Sequence, residues 1–118
     1  MESKVTHLTE DTFDGAVAGE GITVIDFWAS WCGPCRAMAP QFERAAMLRP
    51  AYRFAKVDVD AEPALAGRYG VRAIPTLLVL RDGEPVAAQA GVVGANALVE
   101  ALDRIASADR AAAPTGAA

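Results

Sequence analysis

The sequence predicts a single α/β domain in which a central mixed sheet of about five strands is flanked by four helices. The chain has 118 residues, enough for one hydrophobic core but not for two. Strand-like and helix-like segments follow one another in the order βαβαβαββα, and the early βαβ steps favour parallel neighbours. The dipeptide Asp82-Gly83 then predicts a tight hairpin, which adds an antiparallel strand.

The first half of the chain contains three predicted strands and two predicted helices. The strands share apolar or alternating residues bounded by turn residues, and they cover residues 5–8, 22–28 and 52–59. Thr9 is expected to cap a helix over residues 10–18, because its side chain can accept a bond from a free backbone N–H group. A longer helix is expected over residues 34–49, where Pro40 should introduce a kink.

The second half is predicted to contain a short helix, two strands and a final helix. The first three elements cover residues 63–69, 76–80 and 85–90. Leu98, Leu102 and Ile105 follow an i, i+4, i+7 spacing, which places apolar side chains on one face of the final helix. We therefore expect a domain over residues 1–106 and a flexible, alanine-rich tail over residues 107–118.

Composition and charge argue against several classes of function. The net charge is −4 and no basic cluster is present, so nucleic acid is not an expected partner. No apolar run approaches the ~20 residues that would cross a bilayer, so no membrane association is expected. The first residues lack the pattern of a signal peptide. We therefore expect a cytoplasmic protein, and we expect it to be a monomer.

Both cysteines lie in the pentapeptide Trp31-Cys32-Gly33-Pro34-Cys35, directly after an apolar strand. Residues i and i+3 of a helix share one side with Cβ atoms ~5–6 Å apart, and a distorted first turn can close this gap to a disulfide. The unpaired N–H groups and the dipole at a helix start favour a thiolate at the first cysteine. The spacing thus indicates a redox switch. A zinc half-site is the alternative, but structural zinc usually needs four ligands and His7 is the only other soft ligand, so no metal is expected.

Asp26 is the one ionisable residue in the apolar run of residues 22–28. Both flanks are apolar, which predicts a buried strand, although a solvent-facing carboxylate at a strand edge is the alternative. A buried carboxyl group has a raised pKa and can exchange a proton near neutral pH.

These motifs resemble the thioredoxin family over about residues 5–106. The strongest block is residues 24–35, with the sequence VIDFWASWCGPC, and further blocks lie at residues 56–60, residues 71–76 and Gly91. Residues 36–40 and 89–91 are most similar to the second bacterial thioredoxin, which usually carries an N-terminal zinc ribbon with four cysteines. No further cysteines are present here, so the sequence resembles the catalytic domain of that type alone.

The resemblance implies a thioredoxin fold and a general protein thiol–disulfide oxidoreductase that reduces client disulfides. Cys32 would be the exposed nucleophile and Cys35 the shielded, resolving thiol. Asp26 would exchange a proton with Cys35, and Lys56 would tune Asp26. No bound cofactor is implied beyond the redox-active disulfide. The implied partners are a flavin-containing, NADPH-dependent thioredoxin reductase and disulfide-containing client proteins.

The resemblance also implies a flat apolar docking surface around the dithiol. Pro75 would follow a cis peptide bond beside the dithiol, and together with Gly33 and Pro34 it would shape the site. The backbone of Ile74 would then pair with an extended client segment. The docking surface would consist of Trp31, Gly33, Pro34, Ile74, Pro75, Gly91 and Val92.

Two other functions remain open on the sequence alone. The same surface serves some thioredoxins as a binding module that supports a partner protein without redox turnover. An oxidase or isomerase of an exported compartment is the second alternative, but Gly33-Pro34 argues against it because such enzymes usually carry His at the second intervening position. Asp58 and Asp60 suggest a metal site less strongly than they suggest a solvated strand end.

Overall fold

The computed structural model describes residues 3–108, which form one five-stranded mixed sheet with four helices. The strands are β1 (Val5–His7), β2 (Ile22–Trp28), β3 (Arg53–Asp58), β4 (Thr76–Arg81) and β5 (Glu84–Ala90). The helices are α1 (Glu10–Val17), α2 (Gly33–Leu48), α3 (Pro63–Arg68) and α4 (Ala95–Ser107). The predicted element order is confirmed, and the predicted boundaries differ from the observed ones by at most one residue at either end.

The sheet has the strand order β1-β3-β2-β4-β5. Strand β3 lies between β1 and β2 and is parallel to both, whereas β4 is antiparallel to β2 and β5 is antiparallel to β4. The central strand β2 is buried over six consecutive residues, as its unbroken apolar run predicts. Because β2 is the central strand, the loop that follows its carboxyl end and the start of α2 lie near the middle of the sheet.

The two sheet faces carry separate cores. Side chains such as Val24 and Phe54 pack with α2 and α4, while Ile25, Ala55 and Val57 pack with α1 and α3. This alternation follows from the two-residue period of a strand. In β3, Phe54 therefore faces one core, while Ala55 and Val57 face the other.

Local signals account for most element ends. Thr9 caps α1 in a reciprocal capping box with Thr12. Helix α2 continues through Pro40, so a kink there stays a prediction. Asp82 and Gly83 both have positive φ, at 56° and 83°, which the tight hairpin between β4 and β5 requires.

Helix α4 extends through Ser107, the first residue of the predicted tail. The guanidinium group of Arg81 binds the carbonyl oxygens of Ile105 and Ala108 and so satisfies the end of this helix. The rest of the predicted tail lies outside the described residues. Within residues 3–108, no helix is both long and apolar enough to cross a membrane.

Candidate active site

Cys32 and Cys35 form a disulfide at the start of α2. Cys32 is the N-cap residue, with an extended backbone, and its Sγ accepts a hydrogen bond of 3.2 Å from the backbone N–H of Cys35. Gly33 and Pro34 form the first helical positions between them, where a proline costs no hydrogen bond. The Cα atoms are 5.2 Å apart, within the usual range for a disulfide. The first turn of α2 thus brings both sulfur atoms together without help from another element.

The expected difference in exposure between the two cysteines is wrong for this oxidised form. Each residue is only 4% exposed. Both side chains pack against Ala29 and the half-buried Trp28 and Ile74. The exposed parts of the pentapeptide are its other three residues. Burial in the oxidised form therefore does not distinguish the two cysteines, whereas their positions on α2 do.

The loop that contains Ile74 and Pro75 meets the disulfide, and a second loop is bonded to this first loop. The carbonyl oxygen of Ile74 lies 3.7 Å from Cys32 Sγ, and the Ile74–Pro75 peptide bond is cis. Gly91 donates its backbone N–H to the carbonyl oxygen of Pro75 at 2.9 Å, which joins the second loop to the first. Pro75 is fully buried, so it lies beneath the expected docking surface and does not form part of its exposed area, contrary to expectation. Gly91 and Val92 are exposed beside it.

Trp31 is held by a partner that sequence analysis missed. Its indole is 66% exposed, and the indole N–H donates to Asp60 Oδ2 at 2.8 Å. Asp58 Oδ1 in turn accepts the backbone N–H of Asp60 at 2.9 Å. Asp60 is exposed, as expected of a strand end, but it also fixes the ring beside the disulfide. The contact spans 29 positions, so no local pattern could reveal it.

Asp26 is completely buried. It lies on the sheet face of Val24, the face that α2 covers, and neither carboxylate oxygen has a hydrogen-bond partner among residues 3–108. Burial penalises the charged form and raises the pKa of Asp26 from 3.8 to about 7, although the nearby Lys56 ammonium acts in the opposite direction. The carboxyl group therefore changes its charge near neutral pH.

Lys56 and Trp28 connect Asp26 with the disulfide region. Lys56 pairs directly with Asp26 in the register of β2 and β3, and its Nζ lies 4.9 Å from the ring centroid of Trp28. A cavity of about 80 Å³ is lined by Trp28, Cys35, Lys56 and four neighbours. This volume exceeds the space that a water molecule needs, and the mainly apolar lining reaches Cys35 but does not include Asp26.

The described residues contain no group of three or more His, Cys, Asp or Glu side chains that could hold a metal ion. His7, considered above as a further zinc ligand, is exposed on β1, and its ring meets the edge of Trp28 at a centroid distance of 6.3 Å. The two cysteines are bonded to each other. A bonded pair of this kind is the arrangement that exchange of a disulfide requires.

Comparisons with known proteins agree with this geometry. The profile of the family "Thioredoxin" matches residues 4–104. A putative thioredoxin 2 from Streptomyces coelicolor is 40% identical over 100 residues, which cover 85% of this chain and 75% of that protein. The thioredoxin of Bacillus subtilis is 41% identical over 101 residues, covering 85% and 96%. Among solved structures, a mutant thioredoxin from Halobacterium salinarum superposes with a TM-score of 0.82 at 31% identity, covering 92% of this chain and 98% of that one.

Members of this family act through a redox-active disulfide without a cofactor, and they exchange electrons with a thioredoxin reductase and with client proteins that contain disulfides. The family match, the five-stranded fold and the disulfide at the start of α2 lead to one conclusion. The chain belongs to the thioredoxin family and is a protein thiol–disulfide oxidoreductase that uses Cys32 and Cys35.

Proposed function

We propose that Cys32 attacks client disulfides and that Cys35 resolves the intermediate. The position of the disulfide at the N-terminus of α2, with Cys32 as the N-cap residue, carries this proposal. In the reduced protein, the Cys32 thiolate would retain the N–H donor of Cys35 and the favourable end of the helix dipole. Cys35 lies within the first turn and lines the cavity beside Lys56.

The proposed cycle moves two electrons to the client. The Cys32 thiolate attacks one client sulfur, forming a mixed disulfide and releasing a client thiolate, which takes up a proton. The Cys35 thiolate then attacks Cys32 Sγ, which breaks the mixed disulfide and releases the second client thiolate. The client is reduced to a dithiol, and Cys32 and Cys35 are left as the disulfide seen in the structure.

Asp26 is proposed to exchange a proton with Cys35 through water, and Lys56 is proposed to tune this exchange. A pKa of about 7 supports the role, because such a group accepts and returns a proton near neutral pH. The cavity beside Cys35 and Lys56 has room for such a water, although Asp26 does not line it. The opposing charge of Lys56 keeps the pKa of Asp26 from rising further.

The docking surface is proposed to hold an extended client segment over the disulfide. Trp31, Gly33, Pro34, Gly91 and Val92 form its exposed part. Ile74 is half-buried, and its carbonyl oxygen beside Cys32 could accept a backbone N–H from the client. A surface of this kind binds backbone and apolar area in many clients, which suits a general reductase.

We further propose that the protein works as a cytoplasmic monomer and that an NADPH-dependent thioredoxin reductase returns it to the dithiol form. The cysteine content and the redox-active pair support a reducing compartment. Reduction of insulin disulfides, followed through NADPH consumption with a thioredoxin reductase, tests the cycle. Loss of NADPH consumption when the chain is omitted is the expected control result.

Two single variants test the assignment of the cysteines. Cys35→Ser should accumulate a stable mixed disulfide with a client, because the resolving thiol is missing, whereas Cys32→Ser should form little adduct. Intact-mass analysis after incubation with oxidised insulin measures both. Stable adducts on Cys32→Ser, with none on Cys35→Ser, would reverse the assignment.

A further inference from the structure

The loop of residues 91–94, between β5 and α4, contains two residues of the docking surface but little that could hold its own shape. Gly91 has a positive φ of 97°, and Gly94 is the N-cap of α4 without a side chain to cap it. Val92 is 48% exposed. The position of this loop must therefore be set by groups outside it.

Three hydrogen bonds supply those contacts. At the end of the loop next to β5, the backbone N–H of Gly91 donates to the carbonyl oxygen of Pro75. On the other side, two side chains of α2 accept backbone N–H groups: Met38 Sδ accepts from Val93 at 3.3 Å, and Gln41 Oε1 accepts from Ala95 at 2.9 Å. These two hydrogen bonds connect the end of the loop next to α4 with helix α2.

Helix α2 also begins with the disulfide, so one rigid element links the reactive sulfur atoms to the loop. Cys35, Met38 and Gln41 follow one another at intervals of three residues, and such residues are neighbours on a helix surface. Met38 is fully buried, which prevents it from moving independently of the core. The geometry therefore sets the distance between the disulfide and the apolar residues of the loop.

We propose that Gln41 is a positioning residue for client binding, because its amide oxygen anchors Ala95 and thereby fixes residues 91–94 of the docking surface. This inference rests on the proposed docking role of Gly91 and Val92. Gln41 is the stronger of the two anchors, since an amide oxygen is an ordinary acceptor and a thioether sulfur is a weak one. Loss of the acceptor leaves the part-buried N–H of Ala95 unpaired at the start of α4, which favours fraying of this turn.

The test compares three variants of the full chain. Gln41→Met keeps the length of the side chain but removes the acceptor. Gln41→Glu keeps an acceptor oxygen and adds a negative charge, which suits the N-terminus of α4. Arg44→Met, at an exposed position of the same helix, is the control for a polar-to-methionine change on α2.

Steady-state reduction of insulin should show an increase in KM of about threefold to tenfold for Gln41→Met, the range expected for loss of one hydrogen bond, with kcat within twofold. Reduction of L-cystine, which is too small to cover the docking surface, should be unchanged. Gln41→Glu and Arg44→Met should behave as the parent protein. Amide hydrogen exchange at Ala95 should accelerate in Gln41→Met alone, which reports on the anchor even if folding is weakened elsewhere.

Parallel measurements separate this inference from the docking proposal. Val92→Ser removes apolar area from the loop without touching the anchor, and it should raise KM for insulin if the loop binds clients. A raised KM in Val92→Ser together with an unchanged KM in Gln41→Met would overturn the role of Gln41 alone. An unchanged KM in both variants would overturn the docking role and the inference with it. Equal increases in the KM for insulin in Gln41→Met and Gln41→Glu would show that loss of the acceptor oxygen does not cause the weaker client binding.

Discussion

The buried carboxyl group of Asp26 should destabilise the oxidised protein at neutral pH, and Asp26→Asn should relieve this cost. The fold raises the pKa of Asp26 from 3.8 to about 7, because burial without hydrogen-bond partners penalises the charge. One pKa unit corresponds to ~1.4 kcal/mol, so ionised Asp26 costs on the order of 4 kcal/mol above pH 7. Asparagine has nearly the same shape and carries no charge.

The sign of the pH dependence follows from the raised pKa. Below pH ~4 the carboxyl group is protonated in both the folded and the unfolded chain. Burial of Asp26 then carries no charge penalty, and the folded protein has its full stability. Between pH ~4 and ~7 the unfolded chain loses this proton while the folded protein retains it, so stability falls by ~1.4 kcal/mol per pH unit. The advantage of Asp26→Asn should therefore be small in acid, grow across this window and then level off.

Urea unfolding of the parent and Asp26→Asn at pH 4, 5.5, 7 and 8 measures this difference. The oxidised form is used because the bonded cysteines do not titrate. Glu100→Gln, at an exposed position of α4, is a matched control in which removal of a carboxylate should have little effect at any pH. A difference that does not change with pH, or a less stable Asp26→Asn, would refute the reasoning, since Asp26 would then be solvated or strongly paired. In turnover, the same variant should slow release of the mixed disulfide more than its formation.

Three further predictions concern other parts of the chain. Lys56→Met should raise the pKa of Asp26 further above about 7, because the ammonium charge now lowers it; NMR titration of the carboxyl carbon in the oxidised form checks this, and a lower value would contradict it. Pro34→His should make the protein a more oxidising couple, since a potentially cationic neighbour stabilises the Cys32 thiolate; equilibration with glutathione should show a potential more positive by tens of millivolts, and no change would count against it. Removal of residues 109–118 should leave insulin reduction within twofold and the melting temperature within about 2 °C, whereas a larger drop would indicate that this segment docks on the domain.

Much of the fold could be predicted because its signals are local. The apolar run of β2, the alternation in β3 and the spacing in α4 each reflect neighbours within a few residues of one another. The hairpin at Asp82-Gly83 follows from two backbone angles that few residues adopt readily. The position of the two cysteines at the start of α2 follows from the strand before them and the helix after them.

The approach of Ile74 to the disulfide was expected only from the resemblance to thioredoxins, since periodicity says nothing about contacts between distant loops. The structure departs from expectation where packing decides the outcome. Cys35 and Cys32 are equally buried in the oxidised form, and Pro75 lies beneath the surface that it was expected to form.

By itself, the sequence determined the order of the elements, the two faces of the sheet and the redox pair at a helix start. Each of these depends on residues that are close together in the chain. The tertiary structure decided the partner of Trp31, the pairing of Asp26 with Lys56 and the anchoring of the loop by Gln41. These contacts join residues about 30 to 54 positions apart, and they depend on strand register and on how α2 packs against the sheet. Neither the strand register nor the packing of α2 can be predicted from patterns among residues that are close together in the chain.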